Sequence, residues 1–143
     1  MRSLENAKKN GVQGMAQRNM VEAGQGSLQR NLEDGPIDLR HLEQQSLGDP
    51  GLQEEVLRLY SDMSGVYLTR IEESATPEDM LKHLHTLKSA AAGIGAWQVR
   101  DLARHAEDAL REGASVDPDL IADVARAVRE CQDYIADFVS SLD

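Results

Sequence analysis

The chain has 143 residues, a formal net charge of −10 at pH 7 and an aromatic content of only 3%. This length suits one domain, and a core that must be built from Leu, Ile, Val, Met and Ala favours helices packed on helices. The acidic charge disfavours binding to nucleic acid or to an anionic membrane surface. No stretch approaches the roughly 18 apolar residues of a membrane-spanning helix.

Residues 1–35 differ in composition from the rest of the chain. They are rich in Gly, Gln and Asn and contain only scattered apolar residues, so we interpret them as a flexible arm or a marginal helix. No signal-peptide core is found at the start, and the single cysteine, Cys131, has no partner in the chain for a disulfide. We therefore expect a reduced thiol and a cytoplasmic protein. Residues 36–143 form the second predicted unit.

Prolines and glycines mark the beginnings of the predicted helices. Pro50, Pro77 and Pro118 each follow an Asp or a Thr, which is the combination of N-cap residue and first-turn proline that begins a helix. A further helix is predicted to begin at Trp97, because the glycines of GIGAW interrupt the preceding one near Gly95. These signals predict four bundle helices, and DLRHLEQQSL predicts a shorter one before them.

Apolar residues recur at steps of three and four, which is the spacing of one face of a helix. The predicted core stripe of the first bundle helix consists of Leu52, Val56, Leu59, Met63 and Val66, and that of the last consists of Ile121, Val124, Val128, Cys131, Ile135, Phe138 and Leu142. Strand-like alternation appears nowhere at length, and short connections predict antiparallel neighbours. The predicted fold is all-α, an antiparallel four-helix bundle with a short N-terminal capping helix over residues 38–47.

The segment HLHTLKSAAAGIGAW, residues 83–97, places a histidine beside very small residues. In a helix whose apolar stripe is centred between Leu84 and Leu87, His85 points about 140° away from that centre and faces solvent. Its predicted neighbours on this face are Lys82, Lys88, Ser89, Ala92 and Ala96. A large partner could therefore reach the imidazole without steric obstruction.

The next helix offers a carboxylate at the level of this histidine. If the hairpin turns near Ala96, His85 lies eleven residues before the turn and Glu107 lies eleven residues after it. A carboxylate that accepts the Nδ1 proton would fix the tautomer and leave Nε2 as the nucleophile. Lys88 and Arg104, each eight residues from the turn, could neutralise an arriving phosphoryl group.

The local charge agrees with an anionic ligand at this hairpin. Residues 80–111 carry five Lys or Arg and three Asp or Glu, a net charge of +2, whereas the rest of the chain carries −12. A field of this kind favours an anion near the exposed histidine.

The segment HTLKSAAAGIGA, from His85 to Ala96, resembles the signature of histidine-containing phosphotransfer (HPt) domains, which is His-x-Leu-Lys-Gly, a run of small residues and then Gly-Ala. The likeness extends over roughly residues 36–142. It implies that His85 is phosphorylated, that Lys88 interacts with the phosphoryl group and that Glu107 hydrogen-bonds the imidazole.

The same resemblance assigns a structural role to two further residues, and the exposed face around His85 predicts a docking role for others. Gly95 and Ala96 would close the helix hairpin, and Ser89 replaces a glycine of the family pattern by another small residue. The residues expected to face a partner are Lys82, Ser89, Ala92, Ala96, Arg100 and Arg104. For the two arginines, plain solubility is an equal alternative.

The resemblance implies a phosphotransfer protein of a multistep two-component phosphorelay, which carries a phosphoryl group on His85 between receiver-domain aspartates. The expected partners are response-regulator receiver domains and a hybrid histidine kinase, and the chain is expected to be a monomer. The protein would be a phosphocarrier rather than a turnover enzyme. Because no P-loop or other glycine-rich nucleotide loop occurs, we expect no use of ATP. We also expect no metal or cofactor of its own, since the Mg²⁺ would belong to the receiver.

Two other functions compete with this interpretation. A non-catalytic helical bundle could act as an interaction or adaptor module, in which case binding would survive the loss of His85 and no phosphorylated species would form. Metal binding by His83 and His85 is disfavoured, because residues two apart in a helix point about 200° away from each other.

Overall fold

A computed structural model describes residues 8–10, 12–19 and 35–142. The strands in this part of the chain are β1 (Lys8–Asn10) and β2 (Val12–Asn19). Its helices are α1 (Leu39–Gln45), α2 (Pro50–Glu72), α3 (Pro77–Ile94), α4 (Trp97–Arg111) and α5 (Pro118–Ser141). None of these described helices combines the length and the apolar composition that a membrane span requires.

The chain divides into two units, residues 1–35 and 36–143. In the first unit, β1 and β2 are extended where the sequence suggested flexible chain or a marginal helix. The marginal-helix interpretation is wrong for these residues. The rest of the predicted arm lies outside the described residues, and the arm itself stays a prediction.

The helices of the second unit begin where the cap residues predict. The side chains of Asp49 and Asp117 each accept a backbone N–H of the following first turn, and Thr76 accepts the N–H of Asp79 at 3.1 Å. A proline follows each of these caps at the start of the helix. Each cap satisfies a donor that the helix cannot satisfy itself, and such a cap stabilises a helix by about 1 kcal/mol.

The core lies between four helices that form a closed ring. Helix α2 packs against α3 and α5, and α4 packs against the same two helices. The residues at its centre, all less than 2% exposed, include Leu57, Ile71, Leu84, Leu87, Val99, Val124 and Val128. This arrangement confirms the predicted all-α four-helix bundle for residues 36–142, and α1 packs against α3 as the capping helix.

The predicted core stripe of α2 is wrong. Leu59 is 58% exposed, Val66 is 48% exposed and Leu52 is 40% exposed. The buried positions of this helix are instead Leu57, Tyr60, Ser64, Leu68 and Ile71. Helix α2 carries apolar residues on two adjacent faces, and both fit a spacing of three and four. Packing against α3 and α5 decides which face is buried.

The turn between α3 and α4 fixes the hairpin that carries the exposed histidine. Gly95 ends α3 in the left-handed conformation, at φ 86° and ψ 25°. The N–H groups of Gly95 and Ala96 both donate to the carbonyl of Ala91, at 3.1 and 2.9 Å. This is a glycine-terminated helix end of the Schellman type.

Residues before α1 attach the capping helix to this turn. The N–H of Asp38 donates to the carbonyl of Gly95 at 3.0 Å, and the indole Nε1 of Trp97 donates to Oδ2 of Asp38 at 2.9 Å. The other carboxylate oxygen of Asp38 accepts the N–H of His41, which makes Asp38 the N-cap of α1. The turn, the first residue of α4 and the capping helix therefore form one connected unit.

Replacing Gly95 by alanine tests this turn. A Cβ at Gly95 would lie 3.0 Å from Cβ and 3.1 Å from the carbonyl oxygen of Asp38, and its φ is positive. We expect G95A to lower the free energy of unfolding by about 2 kcal/mol, measured by urea denaturation. The control is G93A in the same helix, where a Cβ meets nothing within 4 Å and a gain of about 0.5–1 kcal/mol is expected. Equal effects of the two substitutions would contradict the proposed role of the turn.

Candidate functional site

The exposed histidine contacts a buried carboxylate on the neighbouring helix. Nδ1 of His85 in α3 lies 2.8 Å from Oε2 of Glu107 in α4. The side chain of His85 is 56% exposed, whereas that of Glu107 is 1% exposed. The two residues are at the same level of the hairpin, because the turn at Gly95 and Ala96 lies midway between them. One end of the imidazole is therefore held by the protein and the rest of the ring faces solvent.

Glu107 has two further cationic partners. Nζ of Lys88, one turn after His85, lies 2.7 Å from Oε1. Arg111, one turn after Glu107 on the same helix, donates from Nη2 to Oε2. Both carboxylate oxygens thus contact a cation. Oε2 accepts hydrogen bonds, whereas Oε1 forms an ion pair with Lys88 that lacks hydrogen-bond geometry, and a carboxylate this deeply buried requires such compensation.

These contacts keep Glu107 ionised. Desolvation by burial would raise the pKa of this carboxyl group, but the contacts with Lys88, Arg111 and His85 outweigh it and lower the pKa from 4.5 to about 2. An ionised carboxylate is only an acceptor, so Nδ1 of His85 must be the donor in their hydrogen bond. The proton therefore sits on Nδ1, and in the neutral imidazole Nε2 carries the free lone pair.

The predicted partner-facing residues are divided between the surface and the interior. Lys82, Ser89 and Arg104 are exposed, and Ala92 and Arg100 are half-buried. Ala96 is 0% exposed, so its predicted place on the docking face is wrong. It lies in the turn between α3 and α4 and belongs to the buried core.

The two arginines already have partners within α4. Arg100 pairs with Asp101 at 2.7 Å, and its guanidinium lies 4.6 Å from the centre of the Trp97 ring. Arg104 is 3.9 Å from the same carboxylate and 59% exposed. Arg104 is therefore the more available of the two for a partner's charge.

The sequence reasoning did not assign a functional role to Arg111. The signal was present, since Arg111 follows Glu107 by four residues, the spacing of a helix ion pair. Such pairs are common on solvated faces, however, and the sequence does not show that Glu107 is buried. Burial is what separates this pair from an ordinary surface contact.

No group of three or more His, Cys, Asp or Glu side chains in the described ranges could hold a metal ion. The carboxylate and the histidine of the site contact cations and each other instead. The chemistry that this arrangement supports is nucleophilic attack by an exposed, oriented imidazole nitrogen.

The comparisons with known proteins agree with this geometry. A model of the Hpt domain family matches residues 55–140, which include α3, α4 and most of α2 and α5. The chain belongs to the Hpt domain family. It therefore has a histidine phosphotransfer role in a phosphorelay, and the class of partner is the receiver domain.

A solved structure has the same fold. The crystal structure of histidine phosphotransferase ShpA from Caulobacter crescentus matches with a TM-score of 0.60 and 21% sequence identity, and the match covers 76% of this chain and 94% of that one. Comparison with curated proteins by sequence found no match.

The depressed pKa of Glu107 predicts how the stability of the protein depends on pH. Because the folded-state pKa of about 2 lies below the ordinary 4.5, the contribution of the ionised carboxylate is complete above pH 4.5. It is lost as the pH falls from about 4.5 to 2. We expect wild type to be more stable than Glu107→Gln by about 2–3 kcal/mol at pH 7, and expect this difference to shrink over that interval in urea denaturation.

The control for this prediction is Glu54→Gln, which removes a half-buried carboxylate, 34% exposed, from an ion pair of the same spacing on α2. Its stability should follow that of wild type across the same pH range. A constant difference between wild type and Glu107→Gln from pH 7 to pH 2 would show that Glu107 does not have a depressed pKa.

Proposed function

We propose that His85 is the phosphorylated residue, which accepts a phosphoryl group from the aspartyl phosphate of one receiver domain and passes it to the aspartate of another. The single observation that carries this proposal is the hydrogen bond between the exposed His85 and the buried, ionised Glu107. In the described part of the chain, His85 is the histidine that contacts a carboxylate in an ion pair. Family membership supports the phosphotransfer role but does not itself identify the residue.

The transfer step uses the Nε2 lone pair. Nε2 attacks the phosphorus, a new N–P bond forms, and the P–O bond to the aspartate breaks. The aspartate leaves as a carboxylate with the bonding electron pair. The imidazole gains positive charge as its lone pair is shared with phosphorus, and the anion of Glu107 at Nδ1 stabilises that charge. Passing the group to the next aspartate is the reverse of this sequence.

Lys88 can supply positive charge to a phosphoryl group on His85. Its Nζ lies at the hydrogen-bonding distance of Glu107, and its side chain is 25% exposed, so a flexible four-carbon stem can redirect it toward an oxygen on Nε2. Phosphoryl transfer passes through a loose transition state in which the protein mainly positions groups and neutralises charge. A lysine beside the nucleophile contributes that neutralisation.

The partner would provide the rest of the reaction centre. The Mg²⁺ that neutralises the aspartyl phosphate is expected in the receiver's acidic pocket. On this chain, exposed Lys82, Ser89 and Arg104 surround the histidine with small or cationic side chains. They leave room for a receiver to bring its aspartate in line with Nε2, and their charge favours an acidic partner surface.

The first experiment compares phosphorylation of wild type and His85→Gln. After incubation with a phosphorylated receiver domain, wild type should gain one phosphate that is stable in base and lost in acid, as read by intact mass. His85→Gln should gain none, because it lacks the nucleophile. The matched control is His105→Gln, which removes another exposed histidine from the hairpin and should be phosphorylated like wild type.

Two outcomes of this experiment would contradict the proposal. Phosphate on His85→Gln would place the site on another residue. Normal binding of a receiver to wild type with no phosphate on either protein would favour the alternative function, a bundle that acts as an adaptor.

The charge on Lys88 gives a second prediction. We expect Lys88→Gln to slow phosphoryl transfer about 10–100-fold, because one stabilising cation is removed from the transition state, while the phosphate still appears on His85. Rapid-quench measurements of the transfer rate test this expectation. An unchanged rate would show that Lys88 only neutralises Glu107.

A further inference from the structure

Glu107 forms ion pairs with two cationic side chains, a lysine and an arginine, that come from different helices. Lys88 approaches Oε1 from α3, the helix of the histidine, whereas Arg111 approaches Oε2 from α4, the helix of Glu107 itself. Oε2 is also the oxygen that accepts the proton of His85. Arg111 and His85 therefore share one carboxylate oxygen, and Lys88 occupies the other.

The two cations cannot have the same role in the reaction proposed above. If Lys88 turns to the phosphoryl group, Oε1 of a side chain that is 1% exposed loses its contact at 2.7 Å. A buried carboxylate without compensation tends to take up a proton, because burial disfavours its charged form. A protonated Glu107 would no longer be the anion that stabilises the charge on the imidazole. Another cation must keep Glu107 ionised while Lys88 contacts the phosphoryl group.

Arg111 is suited to keep Glu107 ionised. It is four residues from Glu107 on the same helix, so the pair does not depend on the hairpin or on the reacting group. Its guanidinium is always charged and has several donors in a fixed plane. Its side chain is 54% exposed, so its own desolvation is small.

We propose, resting on the function proposed above, that Arg111 is a positioning residue that keeps Glu107 as an oriented anion when Lys88 moves to the phosphoryl group. Arg111 would act through its contact with Glu107 and not on the reacting nitrogen itself. Lys88 is then the cation that moves, and Arg111 is the cation that stays. The charged or titratable groups facing Glu107 are Lys88 and His85 from α3 and Arg111 from α4.

The chain contains a matched control for this pair. Arg58 and Glu54 on α2 form an ion pair with the same spacing of four residues, and Arg58 is 57% exposed, close to the 54% of Arg111. The difference lies in the carboxylate, since Glu54 is 34% exposed and Glu107 is 1% exposed. Arg58→Gln therefore removes the same charge and the same type of contact from a solvated partner.

The first test is an NMR titration of the Glu107 side-chain carboxyl carbon in unphosphorylated protein. The substitution Lys88→Gln imitates the departure of the lysine. In that background, Arg111→Gln should raise the pKa of Glu107 by a further ~1 unit or more, and Arg58→Gln should leave that pKa unchanged. Arg111→Lys keeps a cation at this position, so the pKa of Glu107 should stay close to its value with Arg111. Equal titration curves with and without Arg111 would overturn the proposal.

The second test is the rate of phosphoryl transfer from a phosphorylated receiver domain. We expect Arg111→Gln to slow transfer at least about tenfold, since a misplaced group beside the nucleophile can cost up to about 100-fold in rate. Arg111→Lys should recover most of the rate, and Arg58→Gln should match wild type. A rate for Arg111→Gln equal to that of Arg58→Gln would overturn the proposal. Because the titration needs no phosphate, failure of wild type to be phosphorylated would count against the proposed function and leave the role of Arg111 to be decided by the titration.

Discussion

The central constraint in this protein is the burial of one carboxylate between two helices. Glu107 is 1% exposed, and its contacts with His85, Lys88 and Arg111 keep it ionised against the cost of desolvation. The ionised state fixes the proton of the imidazole on Nδ1. The direction of the nucleophile thus follows from the charge of a side chain that solvent barely reaches.

The fold places this carboxylate through a short turn. Because α3 and α4 are joined by only Gly95 and Ala96, positions equally distant from the turn meet, and His85 and Glu107 are such a pair. The capping helix α1 stabilises the turn through Asp38, which bonds both Gly95 and Trp97. The capping helix thereby supports the hairpin that carries the site, although it contributes no group to the reacting ring.

Much of this arrangement could be predicted from the sequence because its signals are local. Cap residues followed by proline determine where α2, α3 and α5 begin, and the left-handed Gly95 determines where α3 ends. That His85 and Glu107 lie at the same height on neighbouring helices follows from counting residues on either side of the turn. None of these inferences requires knowledge of how the four helices pack.

The features that sequence reasoning missed depend on packing. Helix α2 is apolar on two faces, so spacing alone could not show that Leu57 is buried and Leu59 exposed. Ala96 is small and close to the histidine in sequence, but only the covered turn shows that it is buried. The role of Arg111 depends on the burial of Glu107, which no pattern of charges reveals.

The most direct test of this account is to observe which nitrogen carries the phosphoryl group. After transfer from a phosphorylated receiver domain to protein labelled with ¹⁵N in its histidines, NMR would detect coupling between ³¹P and an imidazole nitrogen. The account predicts coupling to Nε2 of His85, with Nδ1 still protonated and bonded to Glu107. Coupling to Nδ1 of His85, or to a nitrogen of any other histidine, would contradict it.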